Sequence, residues 1–193
     1  MASKNKGDGR MVWLDLEMTG LEEQHVIIEV ATVITDANLE ILAEGPDIAI
    51  NRSVEDLNNI DPWSARQHTE SGLMDKVRAS RIGINEAESQ TLDFVKSWVG
   101  RWEAPLCGNS IWVDRLFLKR EMPTLESYLH YRVVDVSSIK ELIARWHPEA
   151  VQPPEKSKSH RALDDVLESI EELRWYRRQF FKSPEVISGK TDA

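Results

Sequence analysis

Cysteine is almost missing from this chain, which has one cysteine, Cys107, among 193 residues. A single cysteine cannot form an internal disulfide, and this fits a reducing compartment. The chain also lacks a cluster of cysteine and histidine, which argues against a zinc site. The sequence therefore excludes a small disulfide-stabilised scaffold.

Long apolar runs are lacking as well. The best run spans residues 26–34 and is interrupted by Glu29, and residues 1–10 are polar and carry lysine. We therefore expect neither a signal peptide nor a membrane-spanning helix, and we expect a cytoplasmic protein.

Positive charge is scarce, because 24 lysine and arginine residues face 33 aspartate and glutamate residues and the formal net charge is -9. Proteins that bind along a phosphate backbone gain affinity from basic side chains that displace counterions. A nucleic-acid enzyme of this composition should hold a short substrate through local contacts. Solvated surface carboxylates would also explain part of the excess.

Hydrophobic periodicity predicts an α/β fold in a single domain, with a mixed sheet flanked by helices. We expect a flexible segment at 1–10, a domain at 11–182 and a tail at 183–193. Strands are predicted at 11–17, 25–35, 39–50, 104–107 and 131–136. Helices are predicted near 62–79, 84–100, 111–121, 137–147 and 161–181.

Two acids, Asp15 and Glu17, interrupt the apolar strand pattern at 12–20. Side chains two residues apart on a strand share a face, so these carboxylates would repel each other and lose hydration. A hard divalent cation is the simplest way to offset that cost. Polar residues on an exposed strand face are the alternative explanation.

A third acid, Asp114, follows the segment 105–110, where an apolar approach meets a turn and then a helical pattern. Asn109 or Ser110 is expected to cap that helix. Taken alone, Asp114 could be a solvated carboxylate in a first helical turn, where the helix dipole favours negative charge.

The segment 159–167 opens a long amphipathic helix and contains His160, Asp164 and Asp165. If both were helical, His160 and Asp165 would point about 140° apart, so we place His160 in the preceding loop. Periodicity does not separate Asp164 from Asp165, and His160 alone could be a surface residue. The joint occurrence of the three motifs favours a metal-dependent phosphodiesterase.

The order and spacing of these motifs resemble the DEDDh 3'-to-5' exonucleases. In that family Asp-x-Glu comes first, an Asp after a Gly-Asn segment second, and His-x-x-x-x-Asp third. The segments that carry a closer likeness to its oligoribonuclease branch are 15–21, 43–46, 107–110, 130–132 and 160–165. The resemblance covers about residues 11–182 and implies a ribonuclease H-like fold.

The resemblance also implies a catalytic set and selects Asp165 over Asp164. It implies that His160 is the general base and that two Mg²⁺ or Mn²⁺ ions promote an in-line displacement, releasing 5'-mononucleotides from a 3' end. The implied metal ligands are Asp15, Glu17, Asp114 and Asp165. Asp135 is the rival acid, which we interpret as a strand end before a helix capped by Ser137 or Ser138.

The same resemblance implies how a short RNA is held. Leu21 would wedge between two bases, Trp63 would stack on a base, and Tyr131 would reach into the partner subunit's site in a homodimer. The residues implied for the 5' phosphate of a dinucleotide are Ser110, His68 and Arg132. The tryptophans in helical patterns are expected to be core residues: Trp98, Trp102, Trp146 and Trp175.

Two other functions remain open from the sequence. One is a DNA-directed proofreading or repair exonuclease on the same scaffold, which would act on long DNA. The other is a catalytically silent nucleic-acid-binding protein, against which stands the presence of every member of the catalytic set.

Overall fold

A central strand, β1 (Met11–Met18), organises the sheet. It pairs antiparallel with β2 (Ile27–Thr35) on one side and parallel with β4 (Leu106–Gly108) on the other. In the computed structural model, which describes residues 9–149, 153 and 161–182, the five strands have the order β3-β2-β1-β4-β5. The outer strands are β3 (Ile41–Ala49) and β5 (Val133–Asp135). The mixed sheet confirms the predicted α/β class.

Helices cover both faces of the sheet. In the described ranges they are α1 (Val54–Asn58), α2 (Pro62–Glu70), α3 (Leu73–Ala79), α4 (Ile84–Trp98), α5 (Ile111–Glu121), α6 (Pro123–Tyr128), α7 (Val136–Trp146) and α8 (Ala162–Phe180). The same part of the chain contains no helix long and apolar enough to cross a membrane.

The alternation of side chains along β1 divides the core in two. Val12, Leu14 and Leu16 pack in a cluster with residues of α4, α5 and α6, whereas Trp13 packs with residues of α7 and α8. Because side chains two apart share a face, Asp15 and Glu17 lie on the Trp13 side, which α8 covers. The strand therefore aims both acids at α8.

Several local predictions differ from the structure. The helix predicted over 62–79 is two helices, α2 and α3, because Gly72 adopts a positive φ of 72° between them. Helices α1 and α6 were not predicted, since five- and six-residue helices carry little periodicity. The caps also differ: Ser110 precedes α5 without a side-chain cap bond, and Asp135 rather than a serine caps α7.

The tryptophan prediction is half right. Trp98 and Trp175 are partly buried and pack against the two core clusters. Trp102 and Trp146 are exposed by 61% and 68%, so assigning them to the core was wrong. His160 and the segments 1–8 and 183–193 lie outside the described residues.

Candidate active site

Three acids meet where β1 faces α8. Asp15 and Glu17 leave one face of β1, and Asp165 lies in the first turn of α8. One carboxylate oxygen from each of the three lies within 4.8 Å of the other two. Asp164, the neighbour that periodicity could not separate from Asp165, is exposed. The structure thus brings together acids separated by 150 positions of sequence.

Asp114 lies outside this group of three but near it, since its negative charge contributes to the raised pKa of Glu17. It is buried in the first turn of α5, and its Oδ1 accepts a hydrogen bond from the backbone N–H of Leu16 at 3.0 Å. Burial raises the pKa of Asp114 to about 7, even though that hydrogen bond opposes the rise. The alternative that Asp114 is a solvated carboxylate is therefore wrong.

The electrostatics of Glu17 favour the binding of a cation by the cluster. Burial, followed by the negative charges of Asp165, Glu29 and Asp114, raises the pKa of Glu17 to about 8. Such a group is costly to ionise unless a cation is close. Oxygen ligands are those that hard divalent cations prefer, so the cluster suits a divalent metal ion.

The loop after β1 presents Leu21 to solvent. Thr19 closes this loop twice, because its N–H donates to the carbonyl of Val26 and its Oγ1 accepts from the Val26 N–H. The loop is tight at Gly20, where an added Cβ would lie 2.4 Å from the ring of His25. Leu21, at its tip, is 71% exposed.

Helix α2 lies against the end of the same strand. The carbonyl of Thr19 accepts from the N–H of Asp61, whose side chain caps α2 by accepting from the N–H of Trp63. Trp63 is 61% exposed at the helix start. One turn further on, His68 is buried, with Nε2 2.9 Å from the carbonyl oxygen of Met18 and Nδ1 3.7 Å from Glu17.

Ser110 lies at the end of β4, on the same edge of the sheet as the end of β1. Its N–H donates to Asp135 Oδ1 at 3.0 Å and to Ser137 Oγ at 2.9 Å. Asp135 thus holds the loop before α5 and the first turn of α7. Like Asp114, it lies outside the group of three carboxylates, and its contacts are with backbone N–H groups of Ser110 and Ser137.

Tyr131 and Arg132 precede β5, at the opposite end of that strand from Asp135. Both side chains are exposed, Tyr131 by 72%. They contact each other, since Arg132 Nε lies 3.2 Å from the Tyr131 hydroxyl and the guanidinium lies 5.5 Å from the ring centre. Within one subunit this pair is therefore separate from the acid cluster.

Sequence reasoning missed one ion pair beside the cluster. Glu29 of β2 is fully buried and contacts Arg161 at the start of α8. The available signal was a glutamate in the middle of an otherwise apolar strand pattern, where a charge requires a partner.

Known proteins resemble the chain over most of its length. A family model described as an exonuclease matches residues 12–173. The oligoribonuclease of Escherichia coli (strain K12) is 52% identical over 176 residues, which cover 91% of this chain and 97% of that protein. The chain belongs to the oligoribonuclease family of exonucleases.

Other oligoribonucleases agree. That of Vibrio cholerae serotype O1 is 53% identical over 176 residues, covering 91% of this chain and 97% of that protein. That of Yersinia pseudotuberculosis is 50% identical over 179 residues, covering 92% and 99%. The chain is accordingly a nuclease.

Solved structures support the ribonuclease H-like fold. Exonuclease I of E. coli in complex with a dT13 oligonucleotide aligns with a TM-score of 0.68 and 14% identity, covering 94% of this chain and 43% of that one. Exonuclease I of Methylocaldum szegediense gives 0.67 and 16%, covering 93% and 43%. The chain spans less than half the length of those proteins, and at such identities the likeness concerns the fold alone.

Proposed function

We propose that this exoribonuclease degrades short RNA oligonucleotides, dinucleotides above all, to 5'-mononucleotides from the 3' end. The observation that carries the proposal is the meeting of Asp15, Glu17 and Asp165 within 4.8 Å. The exposed Leu21 and Trp63 follow the end of the strand that carries two of these acids. The net charge of -9 agrees, because affinity for long phosphate backbones would need basic side chains that this chain has in deficit.

The metal ligands proposed are Asp15, Glu17, Asp114 and Asp165. They would hold two divalent ions, Mg²⁺ or Mn²⁺, which supply charge stabilisation to the attacking and leaving oxygens of an in-line displacement. The raised pKa values of Glu17 and Asp114 support this assignment, because burial makes both carboxylates costly to ionise unless a cation is near.

His160 is proposed as the general base that removes a proton from the attacking water. An unperturbed imidazole has a pKa near neutrality, which suits this role at physiological pH. The support is its place in the sequence, directly before Arg161 and five residues before Asp165.

Leu21 and Trp63 are proposed to hold the bases. Both are large, exposed and apolar, and both are tied through Thr19 to the end of the strand that carries Asp15 and Glu17. Aromatic side chains stack on any base, which suits an enzyme that must accept every sequence.

The 5' phosphate of a dinucleotide is proposed to be bound by Ser110, His68 and Arg132. Because Arg132 lies at the far end of β5 from the acids of its own subunit, it would reach this phosphate from the partner subunit, as Tyr131 would. Its charge-assisted contact gives a local gain that does not depend on chain length. For buried His68 the support is its closeness to Glu17, which lets it act from the edge of the cluster.

We also propose a cytoplasmic homodimer in which Tyr131 completes the partner's site. Tyr131 lies in an exposed region with Trp102, and the two line one groove. Exposed aromatic residues in such a patch are typical of protein interfaces. The one cysteine, Cys107, is free and buried, which is compatible with this compartment.

The decisive experiment compares kcat/KM for a 5'-phosphorylated dinucleotide, the same dinucleotide without phosphate, a ten-nucleotide RNA and a matched DNA. We expect the phosphorylated dinucleotide to be cut best, chelator to abolish cleavage, and Arg132→Ala to erase the preference for phosphate. The control is Arg145→Ala, which removes an exposed arginine that lies on α7, away from Arg132 in sequence.

Equal efficiency on the dinucleotide and the ten-nucleotide RNA would leave a nuclease without dinucleotide specialisation. A preference for long DNA would favour the proofreading or repair alternative, and cleavage of none of the substrates would favour a binding protein.

A further inference from the structure

Glu29 occupies an unusual place for a carboxylate. It lies on β2 with none of its side chain exposed, and its partner across the β1–β2 ladder is Glu17. A buried charge is tolerated where a partner of opposite sign and several hydrogen bonds compensate it. The contacts of Glu29 therefore indicate what it is for.

Its contacts are made to two consecutive residues at the start of α8. Arg161 Nε lies 3.0 and 3.1 Å from the two carboxylate oxygens, and Arg161 Nη2 lies 2.5 Å from Oε1. The backbone N–H of Ala162 donates to Oε2 at 3.0 Å. Asp47 adds a second negative charge 3.8 Å from the guanidinium. One carboxylate thus fixes both a side chain and a backbone amide.

This arrangement replaces a local helix cap. Helix α8 begins at Ala162 without a side-chain cap bond from Arg161. The first amides of a helix have no partner within the helix, so an acceptor must come from elsewhere. Glu29 provides it from a strand 133 positions away in sequence. The start of α8 is thereby fixed relative to the sheet.

Asp165 lies three residues beyond Ala162, inside that fixed first turn. On the sheet side, Glu29 is level with Glu17 in the ladder. The ion pair therefore sets the separation between the carboxylate carried by α8 and those carried by β1.

We propose that Glu29 is a positioning residue for the metal site: through Arg161 and Ala162 it holds Asp165 at the distance from Asp15 and Glu17 that a divalent ion requires. This inference rests on the proposed metal site. Residues that orient ligands in this way influence metal affinity as well as rate.

The test is Glu29→Gln, which keeps the shape of the side chain and removes its charge. Thermal melting is followed against Mn²⁺ concentration, and steady-state kinetics on a dinucleotide are measured in parallel. The Mn²⁺ midpoint is the Mn²⁺ concentration that gives half of the maximal rise in melting temperature. We expect this midpoint to rise about tenfold and kcat to fall 10- to 100-fold, as for other groups that support metal ligands. KM for the dinucleotide should change less than about twofold, because the base contacts are untouched.

Glu88→Gln is the matched control. Glu88 also caps a helix from a distance, since its Oε1 accepts from the N–H groups of Thr124 and Leu125 at the start of α6, and it lies on α4, outside the acid cluster. It should lower the melting temperature and leave the Mn²⁺ midpoint unchanged. The proposal is overturned if Glu29→Gln behaves in the same way.

Arg161→Lys covers the case in which Glu29→Gln does not fold. Lysine keeps the charge but loses the planar fork, so the Mn²⁺ midpoint should still rise, by a smaller factor. An unchanged midpoint in Arg161→Lys would overturn the proposal. If the melting temperature of the wild-type protein does not change with Mn²⁺, both the proposed metal site and the positioning role are wrong. If it does change and Glu29→Gln shows the same Mn²⁺ midpoint, only the positioning role is wrong.

Discussion

The carboxylate of Asp114 accepts a hydrogen bond from the backbone N–H of Leu16, the residue between Asp15 and Glu17. Strand β4 pairs with β1 at Val12 and Trp13 and ends at Gly108, so it does not extend as far as Leu16. Asp114 thus takes the position that a continuing strand would occupy. The carboxylate of Asp114 therefore satisfies a backbone N–H of β1 and also adds negative charge near Glu17.

The first prediction concerns this dual role of Asp114. Asp114→Asn retains an acceptor for Leu16 and removes the charge, so hydrolysis should fall below a tenth of the wild-type rate while the fold is retained. Because burial raises the pKa of Asp114 to about 7, removing its charge should leave the melting temperature in chelator at pH 8 level or higher.

Asp114→Ala should be equally inactive but less stable than Asp114→Asn, because the Leu16 amide then loses its acceptor. Differential scanning calorimetry together with a dinucleotide assay checks both variants. Retention of more than a tenth of the activity in either variant would contradict the role of Asp114.

The second prediction is a pH dependence of stability without metal. The pKa of Glu17 is about 8 in the folded protein and 4.5 in the unfolded chain, so between these values the folded state binds more protons. The free energy of unfolding contributed by Glu17 therefore decreases as pH rises from 4.5 to 8. Glu17→Gln should remove this slope.

Melting temperatures of the wild type and Glu17→Gln, measured in chelator at pH 5 and pH 8, isolate that contribution from the other titrating groups. We expect the wild type to lose several degrees more than the variant over this interval. Saturating Mn²⁺ should reduce the difference at pH 8. An equal loss of melting temperature in the two proteins between pH 5 and pH 8 would show that ionising Glu17 does not destabilise the fold.

The third prediction concerns base stacking by Trp63. Base–aromatic stacking is typically worth 1–3 kcal/mol in alanine substitutions, so Trp63→Ala should raise KM for a dinucleotide about tenfold or more. The Mn²⁺ midpoint in thermal melting should stay the same, because Trp63 is not among the acids. Trp146→Ala removes a tryptophan of similar exposure, 68%, from α7 and should leave KM unchanged. Equal effects of the two substitutions would argue against stacking.

The fourth prediction tests whether Tyr131 acts across a dimer. Tyr131→Ala should cleave dinucleotides poorly, and Asp114→Ala should be inactive, yet each carries what the other lacks. Random exchange of subunits between them would give about a quarter of the wild-type number of complete sites, since half of the dimers would be mixed and each would have one complete site.

A mixture of Asp114→Ala with Asp165→Ala is the control, because both changes disable the acids of a subunit's own site. Recovery of dinucleotide cleavage only in the mixture containing Tyr131→Ala would support action in trans. No recovery, with subunit exchange verified by mass spectrometry, would contradict a role of Tyr131 in the partner's site.

The sequence predicted those features that have a short-range pattern. Asp15 and Glu17 could be assigned to one face because alternation along a strand is local, and the apolar stripe of α8 identified its extent. The choice of Asp165 over Asp164 came from family spacing. In the structure Asp165 is one of the three acids that lie close together, and Asp164 is exposed.

Features that depend on distant contacts were not predictable in this way. The cap of α8 by Glu29 joins residues 133 positions apart, and no local pattern encodes it. The exposure of Trp146 likewise depends on what covers a helix face, which periodicity does not reveal, and Trp102 lies in a turn beyond α4 rather than on a helix. Helix α1 buries none of its residues, so it lacks the apolar stripe that marks a helix in sequence.

The central position of β1 has a consequence for how activity is lost on heating. The strand carrying Asp15 and Glu17 is paired on both sides and packs its alternate side chains into both halves of the core. Amides in such a strand exchange with solvent mainly when the whole molecule opens. The acids should therefore keep their geometry until global unfolding, so that loss of cleavage, deuterium uptake along 12–17 and loss of secondary structure share one temperature.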